Sequence, residues 1–215
     1  MRLPRSSGPS SGSRTVGLQV SAALVIFVAT IVISLIGLFG SPKLIDRSLF
    51  RPYWLTRRKE YATVVMSGLV HADLWHLIFN MMTFYFFAFR LEAYIGTVLF
   101  VVLYLAGLLI SHAGTYYKQR RNPEYASLGA SGAISAVLFA SIVYFPDMRL
   151  LILPIPYPIP APVFALLYLA YTYYASKHPH GRINHDAHLG GAITGLLFVA
   201  VAEPRAYGYL LQSIL

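Results

Sequence analysis

The sequence predicts an all-α, polytopic membrane protein built as a bundle of six transmembrane helices. Three observations carry this. Apolar residues make up 57% of the 215-residue chain and charged residues only 12%, about half the share usual in a soluble domain. Mean hydropathy is +0.60. The apolar residues also gather into stretches close to the ~20 residues that cross a hydrocarbon core as a helix. So much apolar surface cannot be hidden inside one water-soluble domain. The same composition excludes a disordered chain, a coiled coil and a nucleic-acid-binding module. The net charge of +9 is scattered among loops, with Arg57-Arg58-Lys59 its longest run, and so matches anionic lipid headgroups rather than nucleic acid. The chain has no cysteine, which removes disulfides, thiol catalysis and zinc-thiolate sites.

The elements follow in order along the chain. A basic, Ser/Gly/Pro-rich leader at 1–15 precedes a first span at 16–39 that contains no charge. That run is too long for a signal peptide and no A-x-A-like cleavage site follows, so a retained helix is expected. Residues 40–72 interleave basic residues with Phe50, Tyr53, Trp54 and Tyr61, the pattern of a loop lying at the membrane interface. A second span at 74–89 and a third at 95–116 are separated by the turn Arg90-Leu91-Glu92. A fourth runs over 128–145, and the stretch from Pro154 to Pro162, which cannot be regular helix, leads into a fifth at 162–176. A sixth occupies 187–202, and 204–215 is a short tail. No segment outside the spans is long enough for a separate soluble catalytic domain. Any chemistry therefore happens within the membrane or at its edge.

Polar side chains inside spans are expensive and are default candidates for function. His76 and Asn80 share a helical face at i and i+4, with His71 at the entrance of the same helix. The fourth span opens with Gly129-Ala130-Ser131-Gly132, and the sixth with Asn184-His185-Asp186-Ala187-His188-Leu189-Gly190-Gly191. Each residue alone has a plain structural explanation. Serine in a membrane helix bonds its own i−4 carbonyl, asparagine joins helices, and small residues at four-residue spacing are packing devices. Together they are more specific. Ser131, His188, His76 and Asn80 fall near span ends on one side of the membrane, and small residues on spans four and six allow close approach.

The set His71, His76-x-x-x-Asn80, Gly129-x-Ser131-Gly132 and Ala187-His188-x-x-Gly191 resembles the rhomboid intramembrane serine proteases. Leu91-Glu92 and the proline-rich approach to the fifth span resemble that family too. The resemblance covers about 16–203, which it marks as the protease domain. It implies an endopeptidase that cleaves transmembrane segments of membrane proteins by a Ser-His dyad. Ser131 would be the nucleophile and His188 the general base and acid. The Ser131 amide, Asn80 and His76 would meet the oxyanion. His71, Gly129, Gly132 and Gly191 would support the site. No metal or cofactor is implied, and the partners are transmembrane substrates and the lipid bilayer. Asp186, two residues from His188, lies on another helix face and is not expected to orient it. Some rhomboids place an aromatic ring one turn after the serine, against the catalytic histidine; Ser135 stands at that position here.

Competing readings are weaker. A transporter should show inverted repeats or paired broken helices, and a zinc site of His71, His76, His185 and His188 lacks HExxH spacing. A rhomboid-like pseudoprotease would lack Ser131 or His188. The lack of any recognised transit peptide leads to an expected bacterial plasma membrane. Orientation pits two signals against each other. The side holding the termini carries six Lys and Arg and the other side eleven, which favours termini outside. The resemblance implies cytoplasmic termini and a site opening outward, and so makes the leader at 1–15 cytoplasmic. Arg2, Arg5 and Arg14 beside the first helix favour the same orientation, and we adopt it.

Overall fold

The computed structural model describes residues 21–152, 156–178 and 183–214; the leader at 1–15, the first residues of the first predicted span and Pro154 lie outside them. Helices stand at all six predicted apolar stretches. They are α1 (Ala22–Leu35), extended by a π-helical turn Ile36–Gly40; α5 (Leu74–Ile95); α6 (Thr97–Gln119); α7 (Ser131–Tyr144); α8 (Ala161–Lys177); and α9 (His185–Ala202). Three segments, Ala22–Gly40, Thr97–Gln119 and His185–Ala202, are by length and composition apolar enough to cross a membrane. α5 is 22 residues long, but His76, Asn80, Arg90 and Glu92 dilute its apolar character.

α7 is the axis of the molecule and packs against α5, α6, α8 and α9. Every residue from Gly132 to Val143 is buried, as expected for a helix apolar on all sides. Its 14 residues reach about 21 Å, short of a hydrocarbon core about 30 Å thick. α7 alone is therefore too short to reach from one side of such a core to the other, and Ser131 is the residue at its N-terminal end.

Several sequence expectations are corrected. Arg90-Leu91-Glu92 is not a turn. α5 continues to Ile95 and the chain reverses at Gly96, whose φ of +82° suits glycine. Glu92 is buried and caps α1: its carboxylate accepts from the Ala22 and Ala23 amides at 2.8 and 2.9 Å, and from the Ser21 and Thr97 hydroxyls at 2.5 and 2.9 Å. A carboxylate is stabilised there by the unpaired N–H groups and positive end of α1. This long-range partner is invisible to a local reading of charge.

The segment 40–72 is not simple loop either. It folds into the short helices α2 (Pro42–Ser48), α3 (Pro52–Arg57) and α4 (Thr63–Met66), two of them opened by proline at the first position, where its missing N–H is harmless. Phe50 pairs with Ser127 through two 3.0 Å backbone hydrogen bonds and ties this segment to the approach of α7. Of the proline-rich stretch, residues 156–160 are non-helical, as expected, and Ile159–Pro160 (β2) forms a small antiparallel ladder with Arg149–Leu150 (β1), whereas Pro162 already lies in the first turn of α8. The tail contains an amphipathic helix, α10 (Ala206–Ile214), anchored by the Tyr207 hydroxyl donating to the Leu196 carbonyl at 2.7 Å.

Candidate functional site

α7 starts abruptly. Gly129 has φ +111°, a conformation that favours glycine, and it donates its N–H to the Ser67 carbonyl at 2.8 Å. A Cβ on Gly129 would also sit 2.5 Å from Cε1 of His76. The glycine thus meets two demands, a left-handed backbone and a histidine ring against its face. Ser131 follows at the first helical position, where backbone N–H groups have no intrahelical acceptor and the helix end favours negative charge.

Three helices converge on this point because they carry almost no side-chain bulk. A Cβ on Gly191 of α9 would collide with the Gly132 carbonyl, and one on Gly195 with the Ala136 carbonyl. A Cβ on Gly132 would strike the Ser111 hydroxyl of α6, and one on Gly107 would lie 2.6 Å from the Ala136 methyl. This backbone-to-backbone packing, the membrane counterpart of small-xxx-small, sets the first turn of α9 against the first turn of α7. His188 lies one turn before Gly191. Asn184 fixes the start of α9, its Oδ1 accepting from the Ala187 amide at 3.1 Å and its amide donating to Thr115 of α6 at 3.0 Å.

The His188 ring lies edge-on to that of His185, 5.9 Å between centroids. His76 lies edge-on to His71, ring centroids 4.9 Å apart. Among the described residues no hydrogen bond joins Ser131 to His188, and the Ser131 hydroxyl has no partner. Long or absent contacts of this kind are common in enzymes without substrate. Asp186 is engaged elsewhere, 2.9 Å from the Lys118 ammonium, and does not orient His188. The Asn80 amide donates one N–H to the His76 carbonyl at 3.0 Å, which leaves its second N–H for another acceptor.

His71 is fully buried. Ser34 donates its single hydroxyl proton to the Leu69 carbonyl at 3.0 Å and so accepts from His71 Nδ1 at 3.1 Å. Burial, reinforced by His76, lowers the His71 pKa to about 3, and the ring is neutral at physiological pH. His71 is thus a buried neighbour of His76.

Other residues beside the site belong to none of the four motifs. Tyr168 of α8 lies parallel to the His188 ring, 6.4 Å between centroids at 20°, and its hydroxyl is 3.4 Å from Ser135. The small Ser135 leaves the space that Tyr168 fills from another helix. His112 of α6 holds its Nδ1 2.7 Å from the Leu108 carbonyl and accepts from Ser67 at Nε2, 2.9 Å away. With Ser111, Thr115, Ser127 and Asn184 it lines a recess of about 20 Å³ beside Ser131, enough for one water with several polar partners. Ser111, His112 and Thr115 interrupt an otherwise apolar span, the signal that could have revealed them. Among the described residues no group of three or more His, Asp or Glu is gathered as a metal site would require.

The family model of the Rhomboid domain matches residues 58–205. The chain is 31% identical over 184 residues to "Rhomboid protein 1, mitochondrial" of Saccharomyces cerevisiae, covering 81% of this chain and 52% of that one. It is 28% identical over 203 residues to "Presenilin-associated rhomboid-like protein, mitochondrial" of Homo sapiens, covering 88% and 48%. The "Putative rhomboid protease YdcA" of Bacillus subtilis matches at 36% over 75 residues, covering 35% and 37%. The chain therefore spans about half the length of these relatives, or less. Integral, multi-pass membrane character is supported, whereas relatives named mitochondrial lend the expected bacterial plasma membrane no support.

Proposed function

This chain belongs to the rhomboid family, and from that premise we propose that it is a serine endopeptidase cleaving transmembrane segments of other membrane proteins through Ser131 and His188. The observation that carries the proposal is the backbone contact of Gly132 with Gly191, which holds the first turns of α7 and α9 together. Peptide hydrolysis needs an activated nucleophile, a proton carrier and donors for the oxyanion, and this junction holds candidates for all three.

In the proposed reaction the Ser131 Oγ attacks the scissile carbonyl carbon while its proton passes to the His188 ring. The carbonyl oxygen gains the displaced electron pair and is met by the Ser131 amide, the free side-chain N–H of Asn80 and a ring N–H of His76. Gly129 admits the His76 ring to that position, and buried His71 backs it. Collapse breaks the C–N bond, His188 returns the proton to the leaving amine, and an ester on Ser131 remains. A water drawn from the recess beside Ser131, deprotonated by His188, then hydrolyses the ester and regenerates the hydroxyl. Tyr168 acts as a positioning residue by packing on the His188 ring.

Six crossings with both termini on one side would leave Ser131 opening toward the other. Substrate segments with helix-breaking residues are favoured, because an intact helix shields its peptide bonds in hydrogen bonds. The host membrane we infer is bacterial or mitochondrial, the two settings from which the relatives come.

The test uses the full chain in proteoliposomes with a model transmembrane substrate and a fluorophosphonate probe. Wild type is expected to cut the substrate and label at Ser131; Ser131→Ala does neither while melting at the same temperature. Equal cleavage by Ser131→Ala overturns the proposal. Failure of wild type both to cut and to label would favour a non-catalytic binder of membrane segments.

A further inference from the structure

The end of the bundle opposite Ser131 holds a second cavity, about 560 Å³ in volume, walled by the C-terminal ends of α5 and α7 and by α10. That volume is in the range of small-ligand sites. Two opposite charges line it without neutralising each other. The Arg90 guanidinium lies 4.0 Å over the Phe145 ring and, among the described residues, makes no hydrogen bond or ion pair. Stacking uses the face of the guanidinium and leaves its edge N–H donors available. Asp147 also lines the cavity and is likewise without an ion pair among the described residues. Tyr209, Gln212 and Ser213 add hydrogen-bonding groups from α10.

A simple anion would satisfy Arg90 but be repelled by Asp147, and a simple cation would meet the reverse. A zwitterion carrying a phosphate and a primary ammonium satisfies both. The location narrows the source. Arg90 is in the last turns of α5, beside an amphipathic helix that leaves Tyr209 and Leu211 exposed, as in helices that lie in the membrane interface. We propose that this cavity binds the headgroup of an ethanolamine phospholipid, with Arg90 bonding the phosphate and Asp147 accepting from the ammonium. A choline headgroup has the same charges but no N–H to give, and a glycerol headgroup has no cation.

Native mass spectrometry of the full chain in detergent micelles tests this with phosphatidylethanolamine, phosphatidylcholine and phosphatidylglycerol of matched acyl chains. Wild type is expected to retain the ethanolamine lipid about tenfold more tightly than either of the others, and Arg90→Gln to weaken that binding about tenfold. Asp147→Asn, at an exposed position where folding is not at stake, should make ethanolamine and choline lipids equal. Soluble O-phosphoethanolamine at concentrations matching the lipid should not displace it. Equal retention of the three lipids by wild type overturns the proposal, as does a preference that survives both substitutions. Displacement by the soluble headgroup would overturn the lipid assignment in favour of a free ligand.

Discussion

Ser131 has a hydroxyl with no partner among the described residues, at a helix end whose free amides attract negative charge. A serine with a purely structural role would spend that hydroxyl on a carbonyl of its own helix, as Ser141 does on the Val137 carbonyl at 2.8 Å. If Ser131 and His188 form one unit, His188→Ala should abolish cleavage as fully as Ser131→Ala, and the double variant should be no worse than either, because such groups are non-additive. Steady-state cleavage of the three proteins checks this, and additive losses would separate the two residues. Asn80→Ala should lower kcat by about 10²-fold with little change in KM; an effect on KM alone would move Asn80 into substrate binding. At Tyr168 the ring and the hydroxyl are separable. Tyr168→Phe keeps the ring on His188 and should stay near wild type, whereas Tyr168→Leu should lose about three- to tenfold in kcat, the worth of an aromatic pair. Equal losses in the two variants would transfer the role to the Ser135 contact.

At the scale of elements the decisive object is the α6–α7–α9 junction. Its glycines differ in what they tolerate. A Cβ on Gly190 would lie 3.3 Å from the Ser111 backbone, whereas one on Gly191 would overlap the Gly132 carbonyl, and a carbonyl inside a helix cannot swing away as a side-chain tip can. Gly191→Ala is therefore expected to force α7 and α9 apart and to cost about 1–3 kcal/mol as overpacking does. Thermal unfolding in detergent should show a clear drop for Gly191→Ala and little change for Gly208→Ala, where a Cβ meets open space. Cleavage should fall with Gly191→Ala even below the melting transition, since the two first turns separate. Matching stabilities for the two variants would disprove the close backbone contact.

For the molecule as a whole, orientation is where charge and architecture disagree. The segment 40–72 supplies six of the eleven Lys and Arg on its side of the bundle. Part of this charge is tied up locally: Arg51 pairs with Asp46, while Arg57 and Arg58 lie 4.0 and 3.7 Å over the rings of Tyr53 and Trp54. Helices α2 and α3 with the residues that follow them thus form an aromatic and basic layer suited to the interface, and charge held this way weighs less in orienting the chain. The absence of native cysteine gives a direct check. Single cysteines at Thr56 and Gly208, both exposed, are probed in intact cells with an impermeant thiol reagent. Labelling at 56 alone is expected; labelling at 208 alone would invert the protein.

The one-dimensional signals were sufficient where a property depends on neighbours along the chain. Apolar runs revealed the six apolar helices, proline the break before the fifth span, and four short motifs the candidate residues Ser131, His188, His76 and Asn80. They failed wherever a partner is distant in sequence. Glu92 reads locally as a charge that breaks a span, and only the α1 amides some seventy positions away make it a buried cap. Tyr168 reads as one more aromatic in an apolar helix until α8 is laid beside α9. Asp186 is set apart from His188 by helical spacing alone, but its actual partner, the Lys118 ammonium 2.9 Å away, belongs to another helix and shows only in the fold. Hydropathy and backbone preference are local and additive along a chain. The fit of one ring, amide or carboxylate against another depends on which helices meet and at what depth, and only the packed bundle decides that.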